Sequence, residues 1–244
     1  GKRVEDIHIV ALGAGAAGVA CLTMLHKMGV PLANITVFDR SGVLHAGRND
    51  LAPEQMLLAN APEGTTLETA LKGADMFLGL SGPGALAPEL VKGMADKPII
   101  FALANPVPEI MPEQARLASP GAMIATGRSD YPNQVNNVLC FPFIFRGALD
   151  AEAQEINDAM KLACIDAIAS LARQTTTAEV GEAYEGERLA FGPEYLIPKP
   201  FDRRLLPTIA VAVAKAAIES GAARRILDLD AYRQQLEAEV YRSS

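Results

Sequence analysis

Three glycines in the spacing Gly13-x-Gly15-x-x-Gly18 follow the apolar run Ile7-His8-Ile9-Val10-Ala11-Leu12 and lead into a helix-forming stretch over residues 16–28. That pattern suits one kind of chemistry, the binding of a dinucleotide pyrophosphate. The first glycine makes the tight turn, the second lets backbone approach the phosphates, and the third lets helix pack on strand. The N–H groups and positive dipole at the helix start then face the phosphates. A second apolar strand follows Gly29 over residues 35–38, and Asp39 closes it about 20 residues beyond Gly18, where a carboxylate meets a ribose hydroxyl. Arg40, His45 and Arg48 lie in the polar loop over 40–49. Arginines there can pair with a 2′-phosphate, so spacing leaves NAD and NADP both open and predicts weak discrimination. The competing reading is a glycine-rich turn that serves packing alone.

Further polar or glycine residues stand where apolar strands run out. Ser81-Gly82-Pro83-Gly84 follows the run 75–80, Asn105-Pro106 follows 98–104, and Gly127-Arg128-Ser129 follows 122–126. Helices are expected between these strands over 53–60, 67–73 (capped by Thr65 or Thr66), 88–95 and 112–117. Such alternation predicts an α/β fold, a doubly wound parallel sheet of Rossmann type, with its ligand outside the carboxyl ends of the strands. Taken singly, Asn105 before Pro106 is also simple turn chemistry. As a set at successive strand ends, these residues favour a cofactor-lined cleft. Of the three histidines, His8 falls in a strand, His26 in a helix and His45 in a loop, and no Asp, Glu and His cluster with metal-ligand spacing is visible near those ends.

Beyond Gln134 the pattern becomes helical. Asn136 and Asn137 head an apolar stretch to residue 148, and Asp150 is expected to cap a helix over 151–173. Residues 174–200 read mostly as loop, with Gly181, Gly186 and Gly192. A nearly all-apolar helix over 206–220 stops at Gly221 and needs burial on most sides, and a charged one follows over 230–241. Two parts result, a dinucleotide-binding domain over 1–136 and a helical segment over 137–244 that packs back on the sheet and expects a further lobe. The chain has 244 residues, 50% of them hydrophobic, and a net charge of −7 without a basic block, which argues against nucleic acid as a partner. Three scattered cysteines in apolar runs suggest reduced thiols and a cytoplasmic setting. No apolar run reaches the roughly 18 residues of a membrane span. A start at Gly1 without an initiator Met suggests a fragment or processed product.

The segments Gly13–Gly18, Ala104-Asn105-Pro106, and above all the string from Gly127 through Asn136-Asn137 to Asp150 resemble the bacterial malic enzymes. Ile197-Pro198-Lys199-Pro200-Phe201-Asp202 and the run over 212–217 fit the same family. The resemblance implies oxidation of malate with NAD or NADP and decarboxylation to pyruvate, assisted by Mg²⁺ or Mn²⁺. It places the backbone of Ala14, Gly15, Ala16 and Ala17, between Gly13 and Gly18, on the pyrophosphate, Asp39 near the adenosine ribose, and Ser81 and Gly82 beside the cofactor; Arg40 joins these cofactor-binding candidates by its place just after Asp39. Asn105 and Asn137 would hydrogen-bond malate or the nicotinamide end, although Asn136 and Asn137 could instead cap the following helix.

In that family the acid–base Tyr and Lys and the metal-binding acids lie upstream of the glycine motif. Glu5, Asp6, Tyr131 and Lys199 are therefore not assigned to those roles, and neither catalytic nor metal-ligating residues are expected in this chain. The expectation is a chain that binds a dinucleotide, does not turn malate over alone, and exposes apolar surface leading to a homo-oligomer or to need of a missing lobe. Another amino-acid or hydroxy-acid dehydrogenase would share the sheet and glycines but has no reason for the Gly127–Asn137 string, and a nucleotide-sensing module would share the first half but needs neither Asn105 nor Asn137.

Overall fold

The computed structural model describes residues 2–174 and 189–242, and the chain divides into two compact units, Gly1–Gln134 and Val135–Ser244. The expected loop positions Gly181 and Gly186 lie outside the described residues.

The first unit is a six-stranded sheet. Its strands are β1 (Ile9–Leu12), β2 (Ile35–Asp39), β3 (Gly42–Val43), β4 (Met76–Gly79), β5 (Ile99–Ala102) and β6 (Met123–Thr126), in the order β3-β2-β1-β4-β5-β6. All neighbours are parallel except β3, which folds back antiparallel on β2. The polar loop expected over 40–49 thus contains a short strand. Two residues are too few to show an alternation of their own, and Gly42, with φ of 120°, turns the chain back.

Alternate side chains of the strands feed two separate cores. Ile9, Ala11, Ile35, Val37, Met76 and Leu78 pack with Leu22 of α1 (Ala16–Lys27) on one face. Val10, Phe38, Phe77, Ile100 and Ile124 pack on the other with Leu71 of α3 (Leu67–Leu71), Val91 of α4 (Pro88–Val91) and Ala115 of α5 (Pro112–Ala118). This is the two-sided burial that a doubly wound sheet requires. Phe77 is fully buried, and its truncation to Ala would cost about 3–5 kcal/mol. The connecting helices are shorter than their sequence suggests. α2 (Pro53–Met56) and α4 are single turns begun by a proline, whereas α3 is capped by Thr66, whose Oγ1 accepts from the Thr69 N–H.

The second unit is helical: α6 (Phe141–Asp150), α7 (Asp158–Arg173), α8 (Leu205–Glu219) and α9 (Leu229–Arg242). Here the expected cap is wrong. Asp150 ends α6 instead of starting the next helix, and its carboxylate accepts from Arg146 Nε at 2.6 Å and Tyr232 Oη at 2.7 Å. The cap of α7 is Asn157, whose Oδ1 accepts from the Met160 N–H at 3.1 Å. Pro142 sits in the first turn of α6, the one helical place where its missing N–H costs nothing. The apolar α8 is buried on most of its surface by α6, α7 and α9 of its own unit. Gly147 lets α6 come close to α8, since a Cβ there would lie 2.4 Å from the Ala210 carbonyl oxygen.

Candidate cofactor site

Because β1, β2, β4, β5 and β6 run parallel and end in one row (Leu12 beside Phe38 and Gly79, Gly79 beside Ala102, Ala102 beside Thr126), their carboxyl ends open on one edge. Gly13–Gly18, Asp39, Ser81-Gly82, Asn105 and Gly127-Arg128-Ser129 all fall there. That edge is brought together by the sheet.

The three motif glycines separate by cause. Gly13 has φ of 121°, and a Cβ on it would lie 2.3 Å from the Leu80 carbonyl oxygen. A Cβ on Gly18 would lie 2.0 Å from the Gly13 carbonyl oxygen. Both are glycines because the fold itself has no room. Gly15 is different. It caps α1 in ordinary extended backbone (φ −74°), and a Cβ there would meet nothing within 4 Å. Among the described residues no atom near Gly15 requires a glycine at that position. The loop is also braced: Gln55 Nε2 donates to the Ala14 carbonyl at 2.8 Å while its Oε1 accepts from the Ala52 N–H.

Asp39 does stand at the end of β2, but not alone. Arg48 Nη1 and Nη2 donate to its two oxygens at 2.9 and 2.8 Å, and the Ser41 N–H adds a third bond at 2.8 Å. Arg48 also donates twice to Asp50, at 2.9 and 2.6 Å. The guanidinium holds the Asp39 carboxyl below the usual carboxylate range, chiefly through these hydrogen bonds. Asp50 first, and Asp39 after it, push Arg48 up in turn. Arg40 is exposed and has no polar partner among the described residues.

On the other side of β1, Ser81 is anchored to a residue not anticipated from sequence, Glu109, which is fully buried. Only a lone acid within Val107-Pro108-Glu109-Ile110 could have hinted at it. Asn105 is exposed beside a cis peptide to Pro106, and its side chain has no hydrogen-bond partner among the described residues. Arg128 is paired with Asp130 at 2.6 Å and lies over the Tyr131 ring, whose hydroxyl donates to Glu113. In the second unit, Asn136 caps a 3-10 turn over Asn137–Leu139 through the Val138 N–H, which leaves Asn137 exposed at its start. Neither asparagine caps α6, whose N-cap is Cys140; Asn136 caps only the short turn before it.

The family profile described as "Malic enzyme, NAD binding domain" matches residues 1–184. The chain belongs to this family. A malic enzyme NAD-binding domain accounts for the glycine turn and the strand-end set together, and the alternatives of another dehydrogenase or a sensing module are not favoured. Across its whole length the chain is 55% identical to the NAD-dependent malic enzyme of Rhizobium meliloti and 52% identical to the NADP-dependent malic enzyme of Escherichia coli. It spans 32% of the length of each of these curated relatives. The crystal structure of Entamoeba histolytica malic enzyme superposes on 99% of this chain and 49% of that one, with a TM-score of 0.86 at 33% identity. The malic enzyme family thus supplies relatives named for either cofactor at nearly equal identity. No described helix is long and apolar enough to cross a membrane.

Proposed function

We propose that this chain binds NAD or NADP across the carboxyl ends of its sheet and is the cofactor-binding part of an enzyme that oxidises malate and decarboxylates the product to pyruvate. Gly15 carries the reading. Its glycine is superfluous to packing and needed only if a pyrophosphate lies against the backbone of Ala14, Ala16 and Ala17. Asp39 accepts a ribose hydroxyl, Arg40 faces solvent beside it, and Ser81 and Gly82 line the nicotinamide end. Asn105 and Asn137 are neutral amide donors that orient a hydroxy-acid without adding fixed charge. The nicotinamide, when bound, supplies the hydride acceptor.

For the divalent metal, the described residues hold no group of three or more His, Cys, Asp or Glu placed to bind one, so this chain's described part does not fit such a site. We assign residues 1–136 to the cofactor domain and 137–244 to a helical segment that follows it. The complete assembly is a cytoplasmic homo-oligomer.

Titration calorimetry of the purified chain with NADH and NADPH tests the proposal. Wild type is expected to bind, and Gly15→Val to lose binding while keeping its circular dichroism and melting temperature. Binding that survives Gly15→Val unchanged would assign the glycines to packing. With malate, Mn²⁺ and either oxidised cofactor, the chain alone is expected to show no reduced nicotinamide accumulating. Turnover near 1 per second or above would place the acid–base groups within it.

A further inference from the structure

Glu109 is fully buried, yet among the described residues its two oxygens accept only from neutral donors: the Ser81 N–H at 2.8 Å, the Ser81 hydroxyl at 3.1 Å and the Ala104 N–H at 3.0 Å. Burying a carboxyl away from cations is expensive, and an apolar side chain of similar volume serves packing better. The surrounding backbone is fitted to it. Gly79, the last residue of β4, must lack a side chain because a Cβ there would lie 2.5 Å from the Glu109 carboxyl carbon. Two backbone bonds, Gly84 N–H to Pro108 and Leu86 N–H to Glu109, lace the same two loops together.

These loops leave the ends of β4 and β5. In a sheet of this order a dinucleotide crosses the switch point beside β1, with its adenosine over β2. The β4 and β5 ends therefore belong to the nicotinamide half. We infer that Glu109 is a positioning residue for that half, fixing Ser81 and the backbone immediately before Asn105 in one arrangement. This rests on the cofactor reading above. It also sets a polarity. With its proton given to Glu109, the Ser81 hydroxyl turns lone pairs outward, so it accepts from a ribose hydroxyl or carboxamide N–H of the ligand and does not donate.

ADP-ribose, which contains the adenosine and pyrophosphate but no nicotinamide, separates positioning from general support. Glu109→Gln keeps the shape but sets an amide N–H against the Ala104 N–H. By calorimetry, its affinity for NADH is expected to fall about tenfold or more, with ADP-ribose held within about twofold and the fluorescence enhancement of bound NADH reduced. Ser81→Ala removes one donor and leaves every backbone bond, and a smaller drop of the same selectivity is expected. Equal losses for both ligands, or no loss, in a folded Glu109→Gln variant would overturn the inference. Should Glu109→Gln not fold, an unchanged NADH affinity in Ser81→Ala overturns it instead. A wild-type chain that binds neither ligand overturns the cofactor reading itself.

Discussion

Arg48 holds Asp39 in a two-pronged grip, and all five of its N–H donors are spent: two on Asp39, two on Asp50 and one, at 3.5 Å, on the Val43 carbonyl. An arginine so committed has none left for a 2′-phosphate. Asp39, by contrast, has about four acceptor positions and uses three, which leaves room for a ribose hydroxyl. Under the proposed cofactor reading the pair suits a ribose hydroxyl better than a 2′-phosphate, and Arg40 is an exposed cation next to Asp39 in the chain. Replacing Asp39 by Ala removes the acceptor and frees two donors of Arg48. The NADPH-to-NADH affinity ratio is expected to rise about 10- to 100-fold, the worth of a charged hydrogen bond. Arg40→Ala should weaken NADPH alone. Calorimetric titration of both cofactors checks each, and a ratio unmoved by Asp39→Ala would remove Asp39 from the ribose site.

The same pair gives a pH signature. Because the folded-state pKa of Asp39 lies below its unfolded value near 4, its stabilisation is fully present above that unfolded value. It is lost as pH falls through the lower folded one. Urea midpoints taken at pH 7 and pH 3 should fall more for wild type than for Arg48→Ala. Equal falls would mean that the grip adds nothing to stability.

Gly13 and Gly18 should behave unlike Gly15. Gly13→Ala must place a side chain at positive φ and against the Leu80 carbonyl, a strain of about 1–3 kcal/mol for the backbone alone. Gly18→Ala meets the Gly13 carbonyl and is expected to be similarly harmful. Gly15→Ala should leave the melting temperature within about a degree or two. Thermal denaturation of the three variants would refute the distinction if Gly15→Ala melted with the other two.

In the helical unit, the Sγ atoms of Cys140 and Cys164 stand 3.4 Å apart. Either thiol can donate in this contact; with Cys164 as the donor, the hydrogen bond lowers the Cys140 pKa to about 7, while that of Cys164 is raised. Thiolate is the reactive form, so alkylation of Cys140 by iodoacetamide should be half-maximal near pH 7. Cys164→Ala should move the midpoint up toward the ordinary thiol range of about 8.5. Peptide mass mapping across pH reads this directly, and a midpoint indifferent to Cys164→Ala would refute it.

What the sequence determined by itself is what neighbours along the chain determine. The strand–turn–helix around Gly13–Gly18, the position of Asp39 and the succession of strand ends were legible because glycine spacing and hydrophobic period are local. Local rules also misled where two answers satisfied them. Asp150 is a good helix cap by type, yet it closes α6 because Arg146 and Tyr232 claim its carboxylate. The nearly all-apolar stretch was rightly marked for burial, but its partners turned out to be α6, α7 and α9. Only the tertiary structure decided that Arg48 answers Asp39, that Gly79 is empty because Glu109 fills the space, and that Gly15, unlike Gly13 and Gly18, has open space where a Cβ would lie. Each of these depends on which distant backbone comes within about 3 Å, and hydrogen bonds and close packing at that range leave no periodic trace along the chain.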